Sequence, residues 1–330
     1  MAPFPVHATL TRFTSILGPR DSALRTACRR LAMRIACAQH GARLSFTKDC
    51  IDVSKDKRTI RIAMRHFPYA QDMSRSFEHY FGQIEPIGPA GQAGRLVVDY
   101  SRPQLHRYVA SGLEFELSSF AEEVAAIESY FRWYRPKPSD IVFDLGAYCG
   151  VSSYYFSQMV GSTGKVYAFE PDPVNFSLLQ RNIARHSLTN VVAVQVAISA
   201  GSGFADFFSE GALGSTLSEY SSRVSVGEIS RVKTITFEQA CATYGVPAFA
   251  KIDIEGAEVA VLAAAAEFLT THPIHFTLDT NHLVDGKLSN RAVETLFASC
   301  AYDAESSDES GFMTTWARPS RSGNSGRKSH

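Results

Sequence analysis

The chain lacks the patterns that mark several large classes of protein. Its six cysteines include no C-x-x-C pair, which disfavours a zinc site or a disulfide framework. It has no run of about eighteen apolar residues to span a membrane, and its first residues show no apolar core followed by a small-residue cleavage site. The 33 Lys and Arg residues equal the 33 Asp and Glu residues, so charge gives no support for nucleic acid as a partner. We therefore expect a cytoplasmic protein with no transmembrane segment and no nucleic-acid substrate.

The most informative stretch is residues 141–150, where an apolar run ends in an acid and enters a glycine turn. Its first three residues, Ile-Val-Phe, predict a parallel strand that is covered on both faces. Gly146 and Gly150 allow a sharp turn and a close approach to a ligand. Asp144 is expected at the carboxyl end of this strand, where open α/β sheets bind ligands. The pattern predicts a nucleotide-cofactor site.

Tyr148 narrows the choice of cofactor. In the dinucleotide motif Gly-x-Gly-x-x-Gly, the middle glycine leaves room for a pyrophosphate at a helix N-terminus. Here Tyr148 occupies that position between Gly146 and Gly150. A cofactor without phosphates avoids the conflict, and the cationic amino group and sulfonium of S-adenosylmethionine also give Asp144 a partner of opposite charge. An NAD(P)-dependent oxidoreductase stays an alternative, but it would have to accommodate a pyrophosphate beside this tyrosine.

Two further strands extend the predicted cofactor site. The strand 165–169 is followed by Glu170, and an acid there is the usual partner of a ribose hydroxyl pair. Pro171 then ends the strand and leads into the next helix. The apolar run 191–198 predicts a third strand, and we expect the adenine near its end, beside Ala197.

Residues 249–258 concentrate charge in what otherwise resembles an inner strand. Lys251, Asp253 and Glu255 share one face if the segment is extended. Pairing with Asp253 or Asp279 best explains Lys251. Asp253 and Glu255 fall at or beyond the end of the strand, where the cofactor would lie, and this favours a role in the reaction.

Three motifs together resemble the FkbM-type S-adenosylmethionine-dependent methyltransferases. They are Asp-Leu-Gly-Ala-Tyr-Cys-Gly at 144–150, Phe-Glu-Pro at 169–171 and Lys-Ile-Asp-Ile-Glu-Gly-Ala-Glu at 251–258. The resemblance covers roughly residues 120 to 318. It implies a three-layer α/β fold around the doubly wound, seven-stranded sheet of class I methyltransferases, which is Rossmann-like. It also implies methyl transfer to a hydroxyl oxygen, with S-adenosyl-L-methionine as the cofactor.

The resemblance places the cofactor contacts on Asp144, Gly146 and Glu170. The same motifs and the third strand add further candidates to the predicted cofactor site: Ala147, Tyr148, Gly150, Pro171 and Ala197.

The reaction requires a base near the end of the fourth strand. We expect Glu255 or Asp253 to be this base, with Glu258 and His282 as further candidates. No metal site is predicted, although Glu255, Glu258, Asp279 and His282 are all able to bind a divalent cation.

At 330 residues the chain has room for one large domain and an extension. We expect a small α+β extension over 1–94, a methyltransferase domain over 95–318, and a disordered tail over 319–330. A helix over 119–134 is expected to cover the site entrance, and the glycine- and serine-rich stretch 211–216 is expected to be a mobile loop above it.

Within the lid helix, Glu122, Glu123 and Tyr130 are candidate substrate contacts. The strands 96–100 and 113–117 before it are expected to pair as a hairpin. No motif defines the acceptor, so sugars, glycolipids and secondary metabolites are all compatible, as is a homo-oligomer. A second alternative is a non-catalytic binding module with the same fold; the complete set of acids disfavours it.

Overall fold

The computed structural model describes residues 23–87, 94–209, 216–217, 228–284, 286–309 and 312–320. Its α-helices are Ala23–Ala38 (α1), Ala70–Arg75 (α2), Phe77–Gly82 (α3), Val124–Ser129 (α4), Val151–Val160 (α5), Pro173–Arg185 (α6), Phe237–Tyr244 (α7), Glu258–Ala264 (α8), Ala266–Thr271 (α9) and Asn290–Ser299 (α10). A 3-10 helix covers Met64–Tyr69.

The first strands are Arg43–Phe46 (β1), Cys50–Lys55 (β2), Arg58–Ala63 (β3), Leu96–Tyr100 (β4), Gln104–Arg107 (β5), Glu114–Leu117 (β6), Ile141–Leu145 (β7), Lys165–Phe169 (β8), Val191–Val194 (β9) and Ala197–Ile198 (β10). The others are Gly203–Ser209 (β11), Thr216–Leu217 (β12), Glu228–Ile235 (β13), Phe249–Ile252 (β14), His275–Asp279 (β15), Leu283–Val284 (β16), Lys287–Leu288 (β17), Tyr302–Ser307 (β18) and Thr314–Pro319 (β19).

A seven-stranded sheet in the order β18-β19-β15-β14-β7-β8-β9 forms the centre of the molecule. β19 runs antiparallel to both of its neighbours, and the pairs from β15 to β9 are parallel. The chain winds from β7 through β8 to β9 in one direction and then from β14 to β15 in the other. This is the strand order of class I methyltransferases, so the predicted fold class is confirmed.

Helices cover both faces of this sheet because its inner strands alternate between two cores. In β7, Val142 belongs to one hydrophobic cluster together with Phe156 of α5. The next residue, Phe143, belongs to the other cluster together with Phe237 of α7. The result is three layers, as expected from the apolar inner strands.

A four-stranded sheet, β1-β2-β3-β4, forms the core of the N-terminal unit. Met33 and Cys37 of α1 are buried in the same hydrophobic cluster as Ile51 and Val53 of β2. That cluster continues into the side of the central sheet that α5 and α6 cover, so the extension packs against the larger sheet.

β4 corrects the predicted hairpin. It pairs in parallel with β3 rather than with residues 113–117. The hairpin is formed instead by β5 and β6. Asp99 accepts hydrogen bonds from the backbone and side chain of Ser101, which turns the chain directly after β4 and makes 104–107 the nearer partner.

The third predicted strand is also divided. β9 ends at Val194, and β10 lies in a second sheet of order β10-β13-β11-β12. The break is a tight turn around Gln195, in which the backbone N–H of Val196 donates to the carbonyl of Val194 at 3.0 Å. The apolar pattern continues through this turn, so it gave no sign of the break.

The predicted lid helix 119–134 is much shorter, because only Val124–Ser129 is helical. Residues 118–123 lie outside the helix, and there the backbone N–H of Ser119 donates to the hydroxyl of Tyr148. Pro136 and Pro138 follow the helix.

Of the predicted loop 211–216, only Thr216 lies among the described residues, and positions 321–330 of the predicted tail lie outside them. Among the helices of the described ranges, none has the length and apolar character needed to cross a membrane.

Candidate active site

A cleft of about 610 Å³, open to solvent, lies where the strand order of the central sheet reverses. The cleft is formed at the carboxyl ends of β7, β8 and β14, which is where open α/β sheets bind ligands. Five residues of the predicted cofactor set line it: Gly146, Tyr148, Glu170, Pro171 and Ala197. The other three, Asp144, Ala147 and Gly150, are buried behind its wall.

Asp144 is completely buried and holds the start of α5. Its Oδ2 accepts hydrogen bonds from the hydroxyls of Ser152 at 2.7 Å and Ser153 at 2.6 Å. Its Oδ1 lies 3.5 Å from Nζ of Lys251. A carboxylate at the positive end of a helix is also stabilised by the helix dipole. Oδ1 has no hydrogen-bond partner among the described residues, and the contact of Asp144 with a cofactor stays a prediction.

Lys251 joins the two halves of the cleft. Its Nζ donates to the carbonyl of Gly146 at 2.8 Å and lies 3.6 Å from Oδ2 of Asp253. Burial lowers the pKa of Lys251, but the charges of Asp253 and Asp144 outweigh this and raise it, so the ammonium stays protonated. The predicted pairing with Asp253 is present, and Asp144 takes the place that the alternative gave to Asp279.

The glycine turn fits tightly between two neighbouring segments. The backbone N–H groups of Gly146 and Ala147 both donate to the carbonyl of Phe169 at 3.0 Å. Gly146 has a φ of +76°, and a Cβ at this position would overlap the carbonyl oxygen of Asp253. Glycine is therefore required at 146 by the packing of the protein itself.

Tyr148 connects the glycine turn to residues 118–123, which precede α4 and are called the lid segment here. Its hydroxyl accepts hydrogen bonds from the side chain of Ser118 and the backbone of Ser119, both at 3.0 Å, and donates to the carbonyl of Phe120 at 3.1 Å. Its own φ is +50°, in the left-handed region that non-glycine residues seldom occupy. The ring is therefore a fixed part of the cleft wall.

Glu170 ends β8 at the floor of the cleft, with only 4% of its surface exposed. Its Oε2 accepts from the backbone of Tyr148 at 2.8 Å, and its Oε1 accepts from the backbone of Asp172 at 2.9 Å. Burial, followed by the charge of Asp172, raises the pKa of Glu170 to about 8 against the effect of these donors. Further hydrogen-bond donors from a ligand would favour the charged form.

The lid segment brings a carboxylate to the N-terminus of α5. The Glu122 side chain accepts a hydrogen bond from the backbone of Ser152, and burial raises its pKa to about 7. Its Oε2 is buried and has no hydrogen-bond partner among the described residues. Of the other two predicted lid contacts, Tyr130 is half-buried and interacts electrostatically with Lys251, whereas Glu123 lies 3.7 Å from His79 of the N-terminal unit.

Asp253, Glu255 and His282 meet at the other side of the cleft. Each offers one ligand atom, and these atoms all lie within 4.8 Å of one another. Nε2 of His282 is 3.5 Å from Oε2 of Glu255 and 3.9 Å from Oδ1 of Asp253. Both distances exceed those of ordinary N–H···O hydrogen bonds, about 2.7–3.2 Å. Two of the predicted base candidates, Asp253 and Glu255, therefore line the cleft, and a third, His282, lies beside them.

Glu258 is buried beneath this cluster and has no exposed surface. Its Oε1 accepts from Nδ1 of His282 at 2.9 Å and from the backbones of Ile254 and Gly256 at 3.2 Å. It thereby fixes the loop after β14 and the orientation of the imidazole. A base must reach the proton that it removes, and Glu258 has no exposed surface from which to do so.

Charge at the cluster favours the protonated imidazole. Burial lowers the pKa of His282, but the carboxylates of Glu258, Glu255 and Asp279 together raise it well above its usual value. Burial also raises the pKa of Asp279 to about 6. Asp279 accepts from the backbone of Asn281 at 2.8 Å and is not one of the three clustered ligand groups.

Several residues of the site carried no signal in the sequence. Ser152 and Ser153 bind Asp144, and Ser118 and Ser119 bind Tyr148. Serine pairs are common in loops and at helix starts, so only the fold reveals these partners.

Comparison with models of protein families gives a match over part of the chain. Residues 144–304 match the family model of the methyltransferase FkbM domain. No curated protein matches the chain.

Solved structures give weaker likenesses. The FkbM methyltransferase from Methylobacillus flagellatus KT is 13% identical, with a TM-score of 0.41, over 88% of this chain and 59% of that one. The chain therefore spans less than two thirds of that protein. Aeropyrum pernix fibrillarin, solved with natively bound S-adenosyl-L-methionine, is 13% identical over 83% of this chain and 97% of that one, with a TM-score of 0.37.

Precorrin-6y C5,15-methyltransferase from Geobacter metallireducens GS-15 is 12% identical over 59% of this chain and 86% of that one, with a TM-score of 0.38. These alignments carry no information about the acceptor. Residues 144–304 are thus similar to the methyltransferase FkbM domain, and the strand order of the central sheet is that of the class I methyltransferase fold.

Proposed function

We propose that the protein transfers the methyl group of S-adenosylmethionine to a hydroxyl oxygen of a small-molecule or glycan acceptor. The observation that carries this proposal is the N-terminus of α5, where the chain places its own carboxylates. Asp144 accepts from the hydroxyls of Ser152 and Ser153, and Glu122 accepts from the backbone of Ser152. A dinucleotide pyrophosphate would need this same anion site. The arrangement therefore disfavours the NAD(P) alternative.

The charges around the cleft also suit a cationic cofactor. Asp144, Asp253 and Glu122 interact electrostatically with a single ammonium group, that of Lys251. The surplus of negative charge favours a ligand that carries an ammonium and a sulfonium group. In this arrangement the methionine end of the cofactor lies between α5 and β14.

The opposite end of the cleft suits an adenosine. The carboxyl group of Glu170 is placed to accept hydrogen bonds from the ribose hydroxyls, and it would do so as the carboxylate. The apolar side chains of Val196, Ala197 and Ile198 form a wall that suits a flat purine ring. The tight turn after β9 presents these three residues to the cleft.

The chemical step needs little from the protein, because the sulfonium already activates the methyl group. The acceptor oxygen forms a bond to the methyl carbon, the carbon–sulfur bond breaks, and its electron pair returns to sulfur. The hydroxyl proton passes to a carboxylate. Catalysis then consists mainly of in-line positioning and removal of this proton.

Glu255 is the base in this proposal. Both Glu255 and Asp253 line the cleft, and the carboxylate of Asp253 also lies 3.6 Å from Nζ of Lys251, whose positive charge makes Asp253 a weaker base. His282 lies beside both carboxylates, with its Nε2 3.5 Å from Glu255 and 3.9 Å from Asp253. Glu258 acts through His282 by holding its Nδ1.

Calorimetry with the two candidate cofactor types tests the proposal. We expect S-adenosylhomocysteine to bind the full chain and NAD⁺ to give no heat. Glu170→Gln should weaken S-adenosylhomocysteine binding, and Glu267→Gln, which changes an exposed carboxylate outside the cleft, should leave it unchanged. Binding of NAD⁺ without S-adenosylhomocysteine would overturn the proposal.

The base is tested separately by turnover of S-adenosylmethionine with a panel of hydroxylated acceptors. Glu255→Gln should lower kcat by about 10²–10⁴-fold and leave the affinity for S-adenosylhomocysteine intact. Unchanged turnover in this variant would remove Glu255 from the base role.

A further inference from the structure

We infer that Asp253, Glu255 and His282 form a binding site for a divalent metal ion at the acceptor side of the cleft. Their ligand atoms lie within 4.8 Å of one another on the loops that follow two adjacent parallel strands, β14 and β15. Since two of the three residues line the cleft, a bound ion would face the space in which the acceptor must lie.

The separations within the cluster match those of ligands around an ion. Metal bonds to nitrogen and oxygen are about 2.0–2.2 Å long, so two ligands of one ion lie about 3–4 Å apart. Nε2 of His282 is 3.5 Å from the Glu255 carboxylate and 3.9 Å from that of Asp253. These gaps are too wide for good hydrogen bonds and fit an ion between the three groups.

A second observation comes from outside the cluster. Nδ1 of His282 is bonded at 2.9 Å to Glu258, a fully buried carboxylate that also binds the backbones of Ile254 and Gly256. Histidines that bind metals almost always donate their other ring N–H to a carboxylate, a carbonyl or water, which turns the remaining nitrogen towards the ion. Glu258 holds the ring in this way, so that Nε2 faces Asp253 and Glu255. A bound ion would displace the proton of Nε2 to solvent, as metal binding to histidine does.

The ligand types limit the choice of ion. One imidazole and two carboxylates suit Mn²⁺ or Zn²⁺ better than Mg²⁺, which prefers oxygen ligands alone. Three protein ligands leave further coordination positions for water or for an acceptor. The sequence predicts no metal site, and the four residues noted there as able to bind a cation include Glu258 and Asp279. The structure replaces that set with Asp253, Glu255 and His282 and leaves Glu258 as their support.

The inference rests on the proposed function for its role: the ion would bind the acceptor hydroxyl, lower its pKa and so help it lose its proton to Glu255. It also predicts an acceptor that offers the ion an oxygen ligand. Binding of the ion itself does not depend on methyl transfer, so the two proposals can fail separately.

Titration of the chelator-treated full chain with Mn²⁺, followed by electron paramagnetic resonance, tests the site. We expect one Mn²⁺ per chain, near-complete loss of binding in His282→Ala, and affinity lower by about 10–100-fold in Glu258→Gln. The control Glu267→Gln should bind Mn²⁺ as the unchanged chain does.

S-adenosylhomocysteine binding and circular dichroism on the same samples show that each variant is folded. If the unchanged chain binds S-adenosylhomocysteine but no Mn²⁺, the ion site is overturned and the methyltransferase proposal stands. If Mn²⁺ binds but S-adenosylhomocysteine does not, the methyltransferase proposal is overturned and the ion site stands. Equal Mn²⁺ affinity in the unchanged chain and His282→Ala also overturns the site.

Discussion

The carboxylates on the two sides of the cleft differ in their contacts with the protein. At the ends of β7 and β8, Asp144 and Glu170 each accept two hydrogen bonds from groups of the protein. At the ends of β14 and β15, Asp253 and Glu255 face His282 across distances longer than hydrogen bonds. The first arrangement fixes the shape of the site in advance, and the second places two carboxylates of the cleft wall beside an imidazole.

Lys251 and Gly146 connect the two sides. The lysine lies between Asp144 and Asp253, and the backbone of Gly146 packs directly against that of Asp253. Changes on the first side should therefore reduce stability, and changes on the second side should reduce binding and turnover. Four substitutions test this difference.

Gly146→Ala should have the largest effect. The new Cβ would overlap the carbonyl oxygen of Asp253, and the left-handed φ of +76° adds strain. We expect a loss of about 3 kcal/mol or more in the free energy of unfolding, measured by denaturant titration. The matched control is Gly201→Ala, where a Cβ meets nothing within 4 Å, and it should be neutral or slightly stabilising. A Gly146→Ala protein as stable as this control would show that the two sides are not packed together.

Asp144→Asn and Asp253→Asn compare the two partners of Lys251 directly. Asp144 is fully buried, so its loss leaves a buried ammonium with one carboxylate and should cost about 3 kcal/mol in the free energy of unfolding. Asp253 has 30% of its side chain exposed, and its loss should cost less than about 1 kcal/mol.

The two variants should show the opposite order when turnover is measured instead of stability. Asp253→Asn should abolish most turnover at an unchanged melting temperature. Equal losses of stability in the two variants would contradict the contrast between the two sides.

The sequence was most informative where one pattern covered a whole element. The acid at the end of an apolar run correctly placed β7 and the turn at Gly146, because strand burial and glycine conformations are local properties. The break at Gln195 and the short helix Val124–Ser129 were missed. Both depend on hydrogen bonds that form only after the chain has folded.

The same limit applies to the candidate site. The sequence correctly predicted that Lys251 pairs with Asp253, and it named Glu255, Glu258 and His282 as candidates. It could not distinguish Glu258 from the other acids, because burial beneath His282 is a tertiary property. The spacing of residues along the sequence likewise could not predict the hydrogen-bond partners of Tyr148 in the lid segment.

Tyr148→Phe should have a smaller effect on the first side of the cleft. It removes the hydroxyl that binds Ser118, Ser119 and Phe120, so a buried N–H and a buried carbonyl each lose a partner. We expect a loss of about 1–3 kcal/mol in the free energy of unfolding and a higher KM for the acceptor, since the lid segment is no longer anchored. Tyr244→Phe, outside the cleft, should change stability by less than about 0.5 kcal/mol. If the two variants are equally stable, Tyr148 does not anchor the lid.

The smallest expected effect is a proton released when the cofactor binds. Burial raises the pKa of Glu170 to about 8, so at pH 7 the folded protein holds a proton that the unfolded chain, with a carboxyl pKa near 4.5, has lost. Stability contributed by this group therefore falls as pH rises from about 4.5 to 8. If ribose hydroxyls bind the carboxylate, they lower its pKa, and S-adenosylhomocysteine binding at pH 7 should release up to one proton and tighten towards pH 8. Calorimetry at pH 7 in two buffers of different ionisation enthalpy measures this number. Glu170→Gln should abolish the proton release, and Glu267→Gln should keep it. Proton uptake on S-adenosylhomocysteine binding would show that the ribose does not bind the Glu170 carboxylate.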